Sequence, residues 1–368
     1  MKNCLIIYRG PLQRSRLSLI LSTYSEAFQR LDFLWLVPHP KYHNENVFND
    51  FISQFRLNQI HVIDGRLKKY FSATSEIKKK KNDLLYDRLV LIGTTSIFFL
   101  PLHSTVDRDY FINGIPEERF FHKSSFKNKI QVFFIWKMIS FYSVDRVFSV
   151  SKYMSEYLKT KIKAKSYHSI PSGIYHNEAM KNLTLGSRMV YSGSGAPWQW
   201  LSQLSSLWQE IHQQDSNIKF LVVSRDPRTK ILISGLNPDS IKFVQGINGE
   251  EVFSCLQEGS LGFLLRQDHL VNRVSFPIKF GEYLAAGLKV VVSDFEWECA
   301  DFIRNNGGGL LVINDNLKNE AGRIIQFFKS LNFDDKVESH QLSRGLSRDI
   351  SKKKLMKILI DNNYDSIE

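Results

Sequence analysis

Pro277-Ile278-Lys279-Phe280-Gly281-Glu282-Tyr283-Leu284-Ala285-Ala286-Gly287, with the apolar run Val290-Val291-Val292 behind it, is the stretch that decides how this chain reads. Proline suits the first turn of a helix, where its missing N–H costs nothing. Gly287 stands where a helix would stop, and the β-branched run after it reads as a buried strand. The stretch therefore predicts a helix feeding a parallel sheet. The N-terminus of such a helix carries orphan amides and a partial positive charge, a natural seat for phosphate.

Lys279 and Glu282 are three residues apart and share one helical face. A cation in the first turn opposes the helix dipole, and a bound diphosphate would offset that. The Glu282 carboxylate could accept two hydrogen bonds from a ribose diol, each charge-assisted bond contributing about 1.5–3 kcal/mol. An ordinary solvated Lys–Glu pair, worth roughly 0.3–0.5 kcal/mol, is the competing reading.

Upstream of this stretch, apolar runs recur at intervals, each ending in a residue suited to a ligand. Met189 to Ser192 opens a Rossmann-like unit and runs into Gly193-Ser194-Gly195, small residues that let backbone approach a phosphate. Phe220 to Val223 leads to Arg225, and Leu261 to Leu265 leads to Arg266. Guanidinium forks pair well with phosphate oxygens. Bridges to the neighbouring Asp226 and Asp268 are the structural alternative for the two arginines. The first half repeats the grammar: strands at Leu5–Tyr8, Phe33–Val37, Ile60–Ile63, Leu89–Ile92 and Ile97–Leu100, with a helix at Leu17–Phe28. Ligands gather at the carboxyl ends of parallel strands, so the Arg9-Gly10 loop is expected to border a cleft between two domains. His103 and Asp109, in a polar segment read as lying past a strand end, are candidates for the acceptor side or a general base.

The composition is 43% hydrophobic and 23% charged, as in globular proteins, and 368 residues suffice for two domains with their own cores. A net charge of +12 points to acidic partners. Lys78 to Lys81, with Tyr70 and Phe71 nearby, form a candidate contact with an anionic membrane. Base-stacking platforms and zinc spacings are missing, which argues against nucleic acid as the partner. Cys4, Cys255 and Cys299 are scattered and read as packed thiols in a reducing cytosol. No signal peptide or spanning segment is expected; the aromatic stretch Ile130–Trp136 reads as a buried or interfacial helix.

The string P-x-K-x-x-E-Y-x-A-x-G followed by an apolar strand resembles the donor-site signature of family 4 glycosyltransferases, in particular the branch found in bacterial capsule, O-antigen and related polysaccharide pathways. Ile170-Pro171-Ser172-Gly173 and the Asp145–Ser151 segment resemble further landmarks of that family. The resemblance implies an α/β chain of the GT-B fold, two Rossmann-like domains facing each other across a cleft. Residues 1–175 would form the acceptor domain, 176–187 a linker, 188–345 the donor domain, and 346–368 a helix returning to the first domain. It further implies a retaining, metal-independent transfer, with no cofactor, from a nucleotide sugar to a lipid-linked or polymeric glycan at the cytoplasmic face of the membrane.

Carried over residue by residue, the resemblance gives Lys279 a diphosphate contact and Glu282 the ribose, and sets amides near Ser275 and Phe276 beside the sugar phosphate. Many relatives carry a second glutamate eight residues before Glu282. Here Val274 stands there, and Asn272 or Arg273 is expected to take part of its role. Relatives also follow the glycine turn with an arginine and a lysine; Ala196-Pro197-Trp198-Gln199 replaces them, so Arg225 or Arg266 must bring the charge. A nucleotide-sugar epimerase on the same fold and a non-catalytic polyanion binder are the rival readings.

Overall fold

The computed structural model describes residues 3–10, 14–37, 44–64, 86–99, 106–122, 125–174, 185–245 and 249–361. They form two compact units: Met1–Gly173 together with Arg348–Glu368, and Ile174–Ser347.

The first unit is built on a parallel sheet of order β3-β2-β1-β4-β5-β6-β7. Its strands are β1 (Asn3–Arg9), β2 (Arg30–Val37), β3 (Gln59–Asp64), β4 (Arg88–Ile92), β5 (Asp107–Phe111), β6 (Ser143–Ser149) and β7 (Lys163–Ser169). Four helices concern us: α1 (Arg14–Ala27), α2 (Glu45–Ile52), α3 (Phe126–Ile139) and α4 (Lys152–Lys159). Ser125 and Ser151 cap α3 and α4 by accepting the amides of Asn128 and Met154. Leu17, Ile20 and Tyr24 of α1 bury against Ile6, Tyr8 and Trp35 of the strands, and the C-terminal helix adds Leu355, Ile358 and Leu359 to the same core.

Two expectations fail in this unit. Ile97 to Phe99 lies in a short 3-10 turn, Ser96–Phe99, not in a strand. The missing strand is β5, so Asp109 does not sit in a loop at a strand end. It is fully buried. Arg146 grips it with both arms of its fork (2.7 and 2.8 Å), Arg88 lies 3.2 Å away, and the Tyr24 hydroxyl donates to it. A carboxylate held by two guanidinium groups inside a sheet has no access to an acceptor hydroxyl, so Asp109 is corrected from candidate base to core ion pair. His103 and the Lys78–Lys81 run lie outside the described residues, as does most of the expected linker.

The second unit carries a parallel sheet of order β10-β9-β8-β11-β12-β13. The strands are β8 (Arg188–Ser192), β9 (Lys219–Val223), β10 (Ile241–Val244), β11 (Gly259–Leu264), β12 (Lys289–Ser293) and β13 (Gly309–Val312). Among its helices are α5 (Leu201–Gln214), α6 (Gly249–Leu256), α7 (Ile278–Ala285), α8 (Glu298–Asn306), α9 (Ala321–Ser330) and α10 (Phe333–Ser343). One face of the sheet packs Leu204, Trp208 and Ile211 of α5 with Ile324 of α9; the other packs Phe280 and Leu284 of α7 with Cys299 and Ile303 of α8. Burial on both faces explains why Val290-Val291-Val292 reads as an unbroken apolar run. The last helix, α11 (Arg348–Ile360), belongs to the first unit, where Arg348 bonds Ser18 and Lys352 pairs with Glu26 of α1. Among the described residues no helix is long and apolar enough to cross a membrane.

Candidate functional site

Strand order reverses at β8: β9 and β10 lie to one side of it, β11, β12 and β13 to the other. An open parallel sheet takes ligands outside the carboxyl ends of its strands at such a switch point. The end of β8 there carries Gly193, the end of β11 carries Arg266, and α7 begins alongside them.

Helix α7 forms because its apolar positions, Phe280, Tyr283, Leu284 and Ala285, fall on one buried face. Pro277 sits at the N-cap, one residue earlier than expected, and no side chain caps the helix. The first turn contains no acid. At the other end Gly287 adopts φ +81°, and the amides of Leu288 and Gly287 bond the carbonyls of Tyr283 and Leu284, a Schellman closure that an L side chain would strain.

Tyr283 ties this helix to the strand ends. Its buried hydroxyl accepts the Ser192 amide at 2.7 Å, and its ring lies on Gly262 of β11, where an added Cβ would come within 2.8 Å of it. The sequence reading gave Tyr283 no role. The available signal was an aromatic one turn after Lys279 together with a glycine in the middle of an apolar strand.

The Lys279 stem crosses Gly193: a Cβ there would sit 3.4 Å from Lys279 Cε and 2.6 Å from the Tyr191 hydroxyl. Burial pushes the Lys279 ammonium below its ordinary range; Glu282 counters this and Arg266 adds to it. Arg266 is only 3% exposed, and burial lowers its pKa too. Its Nη1 donates to the Leu265 carbonyl at 2.8 Å. Its backbone is fixed from both sides, the amide by Ser293 Oγ and the carbonyl by Asn314. Neither aspartate proposed as its partner takes it. Asp226 accepts from Arg228 and the Gly195 amide, and Asp268 is held by both arms of Arg273. Among the described residues no carboxylate lies within ion-pair distance of Arg266, and no hydrogen bond or ion pair engages the Glu282 carboxylate. Two partly or fully buried cations that repel each other, beside an uncapped helix N-terminus, form a place that an anion would stabilise.

The remaining candidates divide. Gly193 and Gly195 give their amides to Val223 O and Asp226, which ties this turn to the neighbouring strand and loop. What Gly193 provides is room for the Tyr191 hydroxyl, with Lys279 Cε at contact distance beyond it. Ser194 gives its carbonyl to the Tyr191 hydroxyl. Asn272 donates to the Gln267 carbonyl, and Ser275 returns both its amide and its hydroxyl to the Asn272 carbonyl, so these two shape the loop before α7. Arg273 holds Asp268 with Glu296 at 3.6 Å, and Phe276 packs 6.0 Å from Phe280. Arg225 is exposed after β9. Gly10 belongs to the first unit, where its carbonyl accepts the Trp35 indole N–H at 3.0 Å.

Residues 186–330 match the family model described as Glycosyl transferases group 1. Among solved structures, the chain is similar to a glycosyltransferase from Rickettsia africae ESF-5 (13% identity, TM-score 0.69, covering 98% of this chain and 99% of that one). It is similar as well to the lipopolysaccharide outer core galactosyltransferase WaaB (9%, 0.71, 99% and 100%). A third is S. aureus TarM in complex with fondaparinux, alpha-GlcNAc-glycerol and UDP (16%, 0.59), where the match covers 78% of this chain and 58% of that one. No curated protein matches by sequence. Two parallel-sheet Rossmann-like units and these neighbours give the fold as GT-B.

Proposed function

We propose that this chain is a retaining glycosyltransferase that moves a sugar from a nucleotide-sugar donor to a hydroxyl of a glycan or lipid-linked glycan, at the inner face of the cytoplasmic membrane, in surface polysaccharide synthesis. The observation that carries this reading is the pair Arg266 and Lys279 at the switch point of the second sheet, with Glu282 one turn further along α7. The group 1 match over residues 186–330 and the bound UDP named for TarM support it.

In the reaction the bond from the anomeric carbon to the departing phosphate oxygen breaks. A bond to the acceptor oxygen forms on the same face, and the acceptor proton passes to the leaving phosphate. Charge builds on the diphosphate. Lys279, Arg266 and the helix N-terminus meet it with fixed electrostatics that need no reorganisation at the moment of reaction. Glu282 accepts from the ribose diol and holds the nucleotide in register. The two cations perform the charge neutralisation that a divalent ion gives other transferases, so turnover is expected to survive saturating EDTA.

Thermal-shift screening against UDP-, GDP- and TDP-sugars tests the site, since a ligand that binds only the native state raises its melting temperature. A shift from one of these donors, lost in Glu282→Ala, is the expected result. No shift from any of them overturns the reading. An isomerised sugar nucleotide released without acceptor would instead make the protein an epimerase.

A further inference from the structure

Helix α3 carries large apolar residues on two opposite sides, and one of those sides lies on the surface of its unit. Its inner side is settled: Val132, Trp136 and Ile139 are buried, and the Trp136 indole donates to Glu117 at 2.7 Å, a carboxylate that also accepts the Tyr157 hydroxyl at 2.6 Å. The opposite side carries Phe126, Ile130, Phe133, Phe134 and Met138, spaced as one helical face, with Phe141 in the turn beyond. Phe126 is 79% exposed, Phe133 65% and Phe141 63%. Single exposed hydrophobes need no explanation, but a stripe of aromatics held rigidly outward marks an interaction site.

We propose that this stripe is the face by which the chain lies on an anionic lipid bilayer. Charge selects that occupant. From Arg119 to Val144 the sequence contains no acid, while Lys127 and Lys129 flank the stripe and Lys137 rises within it, its ammonium 5.6 Å above the Phe141 ring. Lysines whose stems lie along an apolar face while their heads reach outward match the border between acyl chains and phosphate headgroups. Each such cation adds about 1 kcal/mol of attraction near an anionic surface. A second copy docked through the same face would instead bring these lysines against their counterparts, and like charges in an interface are costly. The contact needs neither donor nor acceptor sugar, so it stands or falls apart from the transfer reaction.

The full chain is sedimented with vesicles of phosphatidylcholine alone and of phosphatidylcholine with one quarter phosphatidylglycerol. It is expected to pellet with the anionic vesicles and to be released by high salt. F133S/F134S is expected to lower the bound fraction about tenfold or more, because binding scales with the apolar area inserted. K127Q/K129Q/K137Q is expected to erase the preference for anionic lipid. Both variants change exposed positions, and an unaltered melting curve checks that they fold. Equal vesicle binding by F133S/F134S, or no binding by the unmodified chain, overturns the proposal. So does a lipid-free dimer in sedimentation velocity that F133S/F134S converts to monomer.

Discussion

Replacing Lys279 with methionine separates what this side chain does for the ligand from what it does to the protein. Methionine keeps the unbranched stem over Gly193 and removes the charge. Without nucleotide, the ammonium is disfavoured by burial and by Arg266, and Glu282 works against both. Its loss is therefore expected to leave the ligand-free protein at least as stable, with an equal or higher melting temperature. With nucleotide, the same change removes a charge-assisted contact worth about 1.5–3 kcal/mol, which weakens UDP binding roughly ten- to hundredfold. Titration calorimetry with UDP and a thermal melt of the ligand-free protein measure the two sides. Unchanged UDP affinity together with a lowered melting temperature would refute the reasoning, because Lys279 would then be a structural cation.

Tyr283→Phe removes the acceptor of the Ser192 amide and is expected to cost about 1–3 kcal/mol in urea unfolding of the second unit; an unmoved midpoint would show that the bond contributes nothing. Asp109→Asn leaves Arg146 and Arg88 buried without their shared counter-charge, and a loss of about 3–5 kcal/mol is expected, with kcat of the folded fraction intact. A collapse of kcat at unchanged stability would return Asp109 to the chemistry. Lys336, buried beside Gly287, is pushed down to about 8. The native state thus binds this proton less readily than the unfolded chain, so stability should rise with pH from about 8 towards the ordinary lysine value near 10.4. Lys336→Met should flatten that rise in melting curves taken across the window.

How much of this could be read in advance depended on how local the cause was. The helix at 277–287 and its stop were legible because proline, glycine and a β-branched run act within a few residues of themselves. Strand β5 was not: Asp107-Arg108-Asp109 reads as a polar loop, and it becomes a central strand because Arg88 and Arg146, from its two neighbouring strands, meet Asp109 there. The converse holds for Ile97 to Phe99, an apolar run with strand character that the chain uses for a turn. At the candidate site, the spacing of Lys279 and Glu282 was enough to set them on one turn of a helix, and α7 carries them so. The difference between Arg225 and Arg266 was not legible, since it lies in burial: Arg266 is buried near Lys279, while Arg225 is exposed after β9. The engagement of the Gly193 and Gly195 amides was not legible for a like reason: their acceptors, Val223 O and Asp226, belong to a strand and loop some thirty residues further on.

Helix α11 gives the chain a peculiar order of events during synthesis. Leu355 is fully buried in the core that holds Leu17 and Trp35, and the carbonyl of Ile358 receives Arg146. The unit that contains β1 therefore cannot close until α11 has been translated, while the unit encoded between them can fold as soon as it leaves the ribosome. Until then, the apolar surface of α1 that α11 will cover stays exposed to chaperones and to aggregation. A stop codon placed before Arg348 would remove a wall of the N-terminal unit rather than trim a tail.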